Sequence, residues 1–369
     1  MTTNYTQYLF DYFHSSPAII QISWLISAIL LLAVVVLIGY LKYVRARLRN
    51  KGRIINTYQK KYESDLIEYL YAGEEGDELS LQQQQIITYL KKCAKNRLKK
   101  RIIIKTLLKL RNEISGETAD AIQKLYYNLN FIGEAEAKLN SKKWSVIANG
   151  ISELAQFDIK EVHEKIIVHI NHPKKEVRRE IQFYLVKLFS FDGLSFLDIL
   201  QTQLSEWDQI QLLEVLQRKN SLNLPDLTNW LQSSNESVIS FTLKLAKIFN
   251  QYEIKEQVIQ LFNHPNIAIR IEAIELVSPL GFHEATAILK KDSINRSTEE
   301  IIAILKMGEK MFTNEDIAFV SEFINHHNYE IKQSAELIMH SIDPEDTYTI
   351  HINRKKDEQY EGLDLTKAG

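Results

Sequence analysis

Ten histidines and one cysteine are the side chains of this sequence best suited to bind a metal or attack a substrate, and their spacing decides what they can do. His163, His169 and His172 cluster in HEKIIVHINH. Six residues of helix turn through about 600°, or about 240° net, so His163 and His169 do not share a face and no metal site is expected there. Cys93 stands alone, which excludes an internal disulfide and a thiolate cluster and suits a reducing cytoplasm. The sequence holds no Walker loop, G-x-S-x-G, H-E-x-x-H or dinucleotide fingerprint. No catalytic, cofactor-binding or metal-binding residue is therefore expected, and the chain reads as a non-enzyme.

The remaining chemistry is electrostatic. KKCAKNRLKKRIIIKTLLKLR, from Lys91 to Arg111, carries ten basic residues and no acid. It suits phospholipid headgroups or nucleic acid, or else forms a solvated face opposite a stripe of Ile103, Leu107 and Leu110. Residues 42–111 hold 18 basic and 7 acidic residues, a balance of +11, whereas 112–369 hold 27 and 39, a balance of −12. A basic base beneath an acidic body suits a chain resting on an anionic leaflet.

These groups must be carried by helices. Gly and Pro are scarce, 12 and 6 among 369 residues, which suits helices and starves a β-rich fold of turns. The first helix is the most distinct. From Ala18 to Leu41 the sequence AIIQISWLISAILLLAVVVLIGYL lacks any charge, and about 36 Å of helix is enough to cross a bilayer core of about 30 Å. A secretory signal peptide would need a basic segment before the apolar run, a shorter run and a small-x-small cleavage site. Here Asp11 precedes it and YLKYVRARLRNKGR follows it, so a transmembrane anchor is expected. Lys42, Arg45, Arg47, Arg49, Lys51 and Arg53 lie on its C-terminal side, which predicts an outer N-terminus and a cytoplasmic remainder. Tyr5, Tyr8, Phe10, Tyr12 and Phe13 outside, with Trp24 and Tyr40 toward the span's ends, suit the headgroup layers.

Beyond the span, Leu41, Val44, Leu48, Ile55, Tyr58, Tyr62, Leu66 and Tyr69 recur at spacings of three, four and seven. They predict a stalk helix with a stripe able to pair with another helix, so self-association through the stalk is one expectation. AGEEGDE, from Ala72 to Glu78, breaks it, and Ser80 with Gln83 forms an S-x-x-Q capping box for the next helix.

From Trp144 onward a helix-opening pattern returns about every 31 residues. HPKKEVRREIQFYL starts at His172, SSNESVISFTLKLA at Ser233, HPNIAIRIEAIELV at His264 and HHNYEIKQSAELIM at His326. Their first apolar residues, Val177, Val238, Ile269 and Ile331, are 61, 31 and 62 apart. WSVIANGISEL, EWDQIQLLEVL and TEEIIAILKMG occupy the registers near 146, 208 and 300 without a His-Pro turn. Seven registers of paired amphipathic helices predict an α-solenoid, in which only stacking buries each unit's stripe. Pro173 and Pro265 are expected at helix entries, and Arg178, Arg270 and Lys332, in phase, as a polar ladder between units.

The stretch His264, Pro265, Asn266, Ile269, Arg270, Glu272, Ala273 and Ile274, and more loosely His172, Pro173, Val177, Arg178, Glu180 and Ile181, resembles the second-helix signature of HEAT repeats, specifically the short HEAT-like units also found in phycobilisome lyases. The resemblance spans 140–342, and Ser115–Phe157 is similar to the lead-in of some bacterial membrane-anchored HEAT-like proteins. It implies an architecture, not an activity. His163-Glu164 and His283-Glu284 are similar to the His-Glu pairs of a HEAT-like di-iron hydroxylase, but they fall at different phases, 17 and 14 residues after their register positions, and the site is not carried over. HEAT-like DNA glycosylases need a basic concave surface, and this array is acidic. Cys93 lies outside the repeats, so bilin chemistry is not implied either.

The sequence therefore predicts an all-α chain: an aromatic-rich segment 1–17, a transmembrane helix 18–41, a basic stalk and linker 42–79, a helical lead-in 80–140, HEAT-like repeats 141–342 in about seven units, and a polar tail 343–369 in which TYTIHI is the one candidate strand. The expected function is a membrane-anchored scaffold without cofactor. Its expected partners are membrane lipid and a protein, such as an enzyme of the same membrane, rather than nucleic acid. A HEAT-like enzyme or enzyme subunit, lyase-like or nucleic-acid-processing, is the alternative.

Overall fold

A computed structural model describes residues 17–72, 79–114, 116–219 and 224–342. The aromatic N-terminal segment, most of the AGEEGDE break and the tail with TYTIHI lie outside the described residues. Among those described, 17 α-helices and three short 3-10 segments occur and no strand. The all-α, stacked-helix architecture expected from the 31-residue period is what the chain adopts. Its contacts divide it into two units, Met1–Glu134 and Ala135–Gly369.

The first unit is organised by α1 (Ala18–Tyr71), 54 residues long or about 81 Å. Pro17 sits at its N-cap, where the missing N–H costs nothing. Nothing interrupts the helix at the end of the uncharged run. From Ala18 to Tyr43 every residue is exposed except Gln21, which is half-buried, while Tyr62, Leu66 and Tyr69 are buried.

Their cover comes from α2 (Leu81–Ala94) and α3 (Arg97–Glu113), so the helix that pairs with this part of the stalk belongs to the same unit. The Ser80–Gln83 capping box forms as read: each side chain bonds the other's backbone N–H, and the Gln83 amide also donates to the Tyr69 carbonyl at 3.0 Å. Asn96 caps α3 through the N–H groups of Leu98 and Lys99. Ile103, Leu107 and Leu110 form the buried stripe, joined by Ile102 and Thr106. Next come α4 (Glu117–Asn128), which packs on α1 and α3, and α5 (Phe131–Leu139), within which the two units divide.

The second unit is a stack of helix pairs. Its long second helices are α6 (Trp144–Gln156), α8 (Lys175–Phe189), α9 (Glu206–Gln217), α11 (Glu236–Ile248), α13 (Ile267–Leu280), α15 (Thr298–Met311) and α17 (Tyr329–Ile342). Successive starts are 31, 31, 30, 31, 31 and 31 residues apart. The short first helices between them are α7 (His163–Ile167), a 3-10 segment (Asp192–Ile199), α10 (Thr228–Leu231), α12 (Lys255–Leu261), α14 (His283–Lys291) and α16 (Ile317–Ser321). α6 packs on α8, α8 on α9, α11 on α13, α13 on α15 and α15 on α17. Between α9 and α11 hydrogen bonds contribute instead: Leu204 N–H donates to Ser237 Oγ at 2.8 Å and Lys244 Nζ to Gln209 at 2.7 Å.

Polar links between residues 24 to 30 apart recur along the stack. Lys187 meets Asp158 at 3.0 Å, Asn266 donates to Glu236 at 2.7 Å, Lys255 meets Glu284 at 2.7 Å and Lys306 meets Glu330 at 3.0 Å. Lys165–Glu136 and Lys290–Asp316 pair likewise. Neighbouring units thus meet through apolar stripes, charge pairs and hydrogen bonds, the nearest-neighbour pattern of helical repeats.

Candidate functional site

The in-phase histidines act as caps. His172 Nδ1 accepts from Lys174 N–H at 3.0 Å, His264 Nδ1 from Asn266 N–H at 3.1 Å and His326 Nδ1 from Asn328 N–H at 3.1 Å. Ser141 and Ser233 do the same with their hydroxyl oxygens for Lys143 and Asn235. An Nδ1 that accepts places the neutral ring's proton on Nε2. Asn235, Asn266 and Asn328 then cap their helices in turn. Pro173 and Pro265 stand one residue before the N-cap, not at the first helical position, so they shape the turn's entry and leave the capping to their neighbours.

Arg178 and Arg270 close the same turn from the other side. Arg178 Nη1 donates to the carbonyls of His172 and Pro173 at 2.8 and 3.2 Å, and Arg270 Nη1 to those of His264 and Pro265 at the same two distances. Their repeated position therefore reflects a lock within each turn. Only Arg270 also crosses to the next unit. Lys332, at the same register in the last unit, has a backbone bond to Asn328 but no such turn contact, so the inter-unit ladder expected from Arg178, Arg270 and Lys332 exists at Arg270 alone.

That crossing forms the most charged buried cluster described. Arg270 Nε and Nη2 grip Glu300 at 2.7 and 2.9 Å, Arg296 Nη1 adds a bond at 3.0 Å, and Ser297 N–H donates at 3.1 Å. Glu300 is 1% exposed. Burial works to raise its carboxyl pKa, but the bonds from Arg270, Arg296 and Ser297 outweigh it and hold the group down at about 2. Arg296 also donates to the Phe262 carbonyl. The cluster borders an open cleft of roughly 380 Å³ lined by Asn263, Asn295 and Asp292 as well. With the Glu300 oxygens already accepting four bonds, its chemistry is that of a lock between α13 and α15.

The same cluster explains the registers that lack a His turn. Val177, Val238, Ile269 and Ile331 are buried third residues of their helices, and Glu300 and Asp208 hold that position in α15 and α9. There Ser297 and Ser205 are the N-caps, and the acid three residues on completes a capping box in α15 and a hydroxyl-to-carboxylate bond in α9. The Ser-x-x-acid spacing is legible in the sequence, but it interrupts the apolar register, so periodicity alone does not reveal it.

The clustered histidines do not converge. His163 starts α7 with its ring 4.8 Å from that of Phe189, and the His169 and His172 rings lie 6.5 Å apart edge to face. Burial, and then the neighbouring His172, lower the His169 pKa. His283 starts α14, and Glu284 beside it pairs with Lys255. No group of three potential metal ligands forms among the described residues.

In the first unit Ala18, Trp24 and Leu41 lie on the exposed apolar length of α1, and Lys42, Arg45, Arg47, Arg49, Lys51 and Arg53 follow, all exposed. It is the one described helix long and apolar enough to cross a membrane, a test that a signal sequence also passes. Of the second basic run, Lys100 pairs with Glu134 at 2.6 Å and Lys109 with Glu63 at 2.9 Å. Lys99 lies over the Tyr58 ring at 5.1 Å, and Lys91, Lys92, Lys95, Arg97 and Arg101 are exposed.

Comparison with known proteins adds little. No family model matches the sequence, and no curated protein does. A crystal structure of an engineered protein aligns over 74% of this chain and 88% of its own, with 12% identity and a TM-score of 0.33. A structure of Kap95p, concerned with how its binding switches the loops of RanGDP to the GTP-bound conformation, aligns over 80% of this chain with 13% identity and a TM-score of 0.31. This chain spans 42% of that Kap95p chain. The class defined by the chain's own helices is an all-α stack of paired helices, and at such scores neither likeness adds a function to it.

Proposed function

We propose that this chain is a single-pass membrane protein whose helical repeats form a non-catalytic docking scaffold. α1 crosses the bilayer with its N-terminus outside, and the repeats lie in the cytoplasm, on the inner membrane of a bacterium. The observation that carries the reading is the uncharged stretch Ala18–Leu41, exposed on every side, with Ile19 82% and Leu31 69% exposed. So large an apolar surface is not stable in water, and 24 residues match the thickness of a bilayer core. The basic cluster Lys42–Arg53 favours the cytoplasmic side for everything after it. The bacterial assignment rests on the resemblance of the repeats and of Ser115–Phe157. The His and Arg residues in phase are consumed in building turns, which leaves the repeats a stacking role and favours a scaffold over an enzyme.

The mechanism is tethering. A repeat surface binds a protein, such as an enzyme of the same membrane, and holding both on one surface raises their effective concentration without chemistry. Affinity purification of the full chain from gently solubilised membranes should recover a stoichiometric membrane-associated protein. Recovery of the chain alone, with turnover by the purified protein on a lyase or nucleic-acid substrate, would overturn the scaffold in favour of an enzyme.

A further inference from the structure

The basic run Lys91–Arg111 is separated from the apolar helix by some fifty residues, and the fold brings its start back toward the apolar segment of α1. Gln82 donates to Glu68 at 2.6 Å, Gln83 to the Tyr69 carbonyl, and the Lys61 ammonium lies over the Tyr89 ring at 4.9 Å. From the contacts of Gln82 and Gln83 with Glu68 and Tyr69 to that of Tyr89 with Lys61, the α2 partner advances by six or seven residues while the α1 partner retreats by seven or eight, so α2 runs antiparallel to α1, toward the apolar segment. Continuing that register from Tyr89 and Lys61 sets the turn between α2 and α3, at Lys95 and Asn96, level with about Ile54 and Ile55 of α1. The contact of Lys99 with Tyr58 agrees.

Around that turn Lys91, Lys92, Lys95, Arg97 and Arg101 are exposed, and Lys51 and Arg53, also exposed, lie within about a turn of its level on α1. No acid occurs in α1 from Lys42 to Tyr62, nor between Lys91 and Arg111. The acids that neutralise the run, Glu63 and Glu134, are spent on Lys109 and Lys100. One end of this unit thus carries an excess of cations, among which Glu134 pairs with Lys100.

We propose that the α2–α3 turn is a second membrane contact, docking on the anionic phospholipid surface of the bilayer that α1 crosses and so fixing the tilt of α1. The proposal rests on the reading of α1 as a transmembrane helix. From Leu41 to Ile55 an upright helix climbs about 21 Å, of which the headgroup layer takes about 6 Å, leaving the turn about 15 Å away. The turn also stands about 9 Å to the side of the α1 axis, so a tilt of about 30° toward it brings it to about 8 Å, about one Debye length from the surface. Anionic lipid favours that tilt and a neutral bilayer does not.

The test is lysine footprinting of the unmodified full chain in nanodiscs, of neutral phosphatidylcholine or with about 30% phosphatidylserine, normalised to exposed Lys142 of the other unit. Lys91, Lys92 and Lys95 should be acetylated about fivefold more slowly in the anionic discs, with the difference abolished in about 1 M salt. Equal rates in the two lipids, with the chain incorporated in both, would overturn the proposal and leave the transmembrane reading standing. Protection by a single-stranded RNA in neutral discs, without protection by phosphatidylserine, would overturn it in favour of nucleic acid. Failure to incorporate into either disc would remove the transmembrane reading and the proposal together.

Discussion

At the scale of single residues, the repeats are held by side chains whose types suggest chemistry and whose bonds are all directed at backbone or at one another. Glu300 is the sharpest case. Replacing it with alanine leaves Arg270 and Arg296 without their shared carboxylate and should cost about 3 kcal/mol in a urea melt. The exposed partner pair Lys255–Glu284 sets the contrast, since Glu284→Ala should leave the melt unchanged. The pH dependence has a definite sign. Glu300 has a folded pKa of about 2, below the ordinary glutamate value of about 4.3, so its contribution is complete above that value and is lost as pH falls toward 2. Denaturation midpoints across this range should fall more steeply for the wild type than for Glu300→Gln, with the remaining slope supplied by carboxyls such as Asp316, where the bonds from Lys290 and Thr313 overcome burial to lower the pKa.

At the scale of elements, the sequence showed where long helices begin far better than what lies between them. Period and apolar stripe placed all seven second helices, because a repeat that buries the same face in every unit must repeat its apolar positions. The first helices are short, one of them a 3-10 segment, and carry too few turns to leave a periodic trace. Close packing there is visible only in three dimensions. A Cβ on Gly193 would stand 2.3 Å from the Leu185 carbonyl oxygen, backbone that cannot step aside, whereas a Cβ on Gly52 of α1 meets nothing within 4 Å. Gly193→Ala should therefore destabilise the repeats by about 2 kcal/mol, and Gly52→Ala should be neutral or stabilising by up to about 1 kcal/mol, both read from thermal or urea unfolding. The stalk teaches the same lesson. Tyr58, Tyr62, Leu66 and Tyr69 read as a stripe seeking a partner, and only the fold shows that part of it is covered from within the unit, which leaves Leu41 and Leu48 exposed for any second copy.

At the scale of the molecule, the proposed function depends on which side of a bilayer each end occupies. A reporter that is active only in the cytoplasm should be active when fused after Gly369 and silent when fused before Met1; the reverse pattern would invert the orientation derived from Lys42–Arg53. Charge is divided along the chain in the same sense. The +11 balance of 42–111 lies next to the apolar run, and half of the −12 balance of 112–369 belongs to the repeats.

The sequence by itself determined the helical class, the 31-residue period, the uncharged length of α1 and the capping box at Ser80, because each is a local or periodic property that a linear string records directly. Only the tertiary structure decided what the polar residues do. Arg178 and Arg270 have the same place in the period and each has an acid 30 residues on, yet Arg270 holds Glu300 while Arg178 bonds its own turn and Asp208 accepts from Ser205 Oγ instead. The return of the Lys91–Arg111 run along α1 is of the same kind. Antiparallel packing sets its level, and hydrophobic periodicity fixes which face of a helix is buried but not the direction in which its neighbour runs.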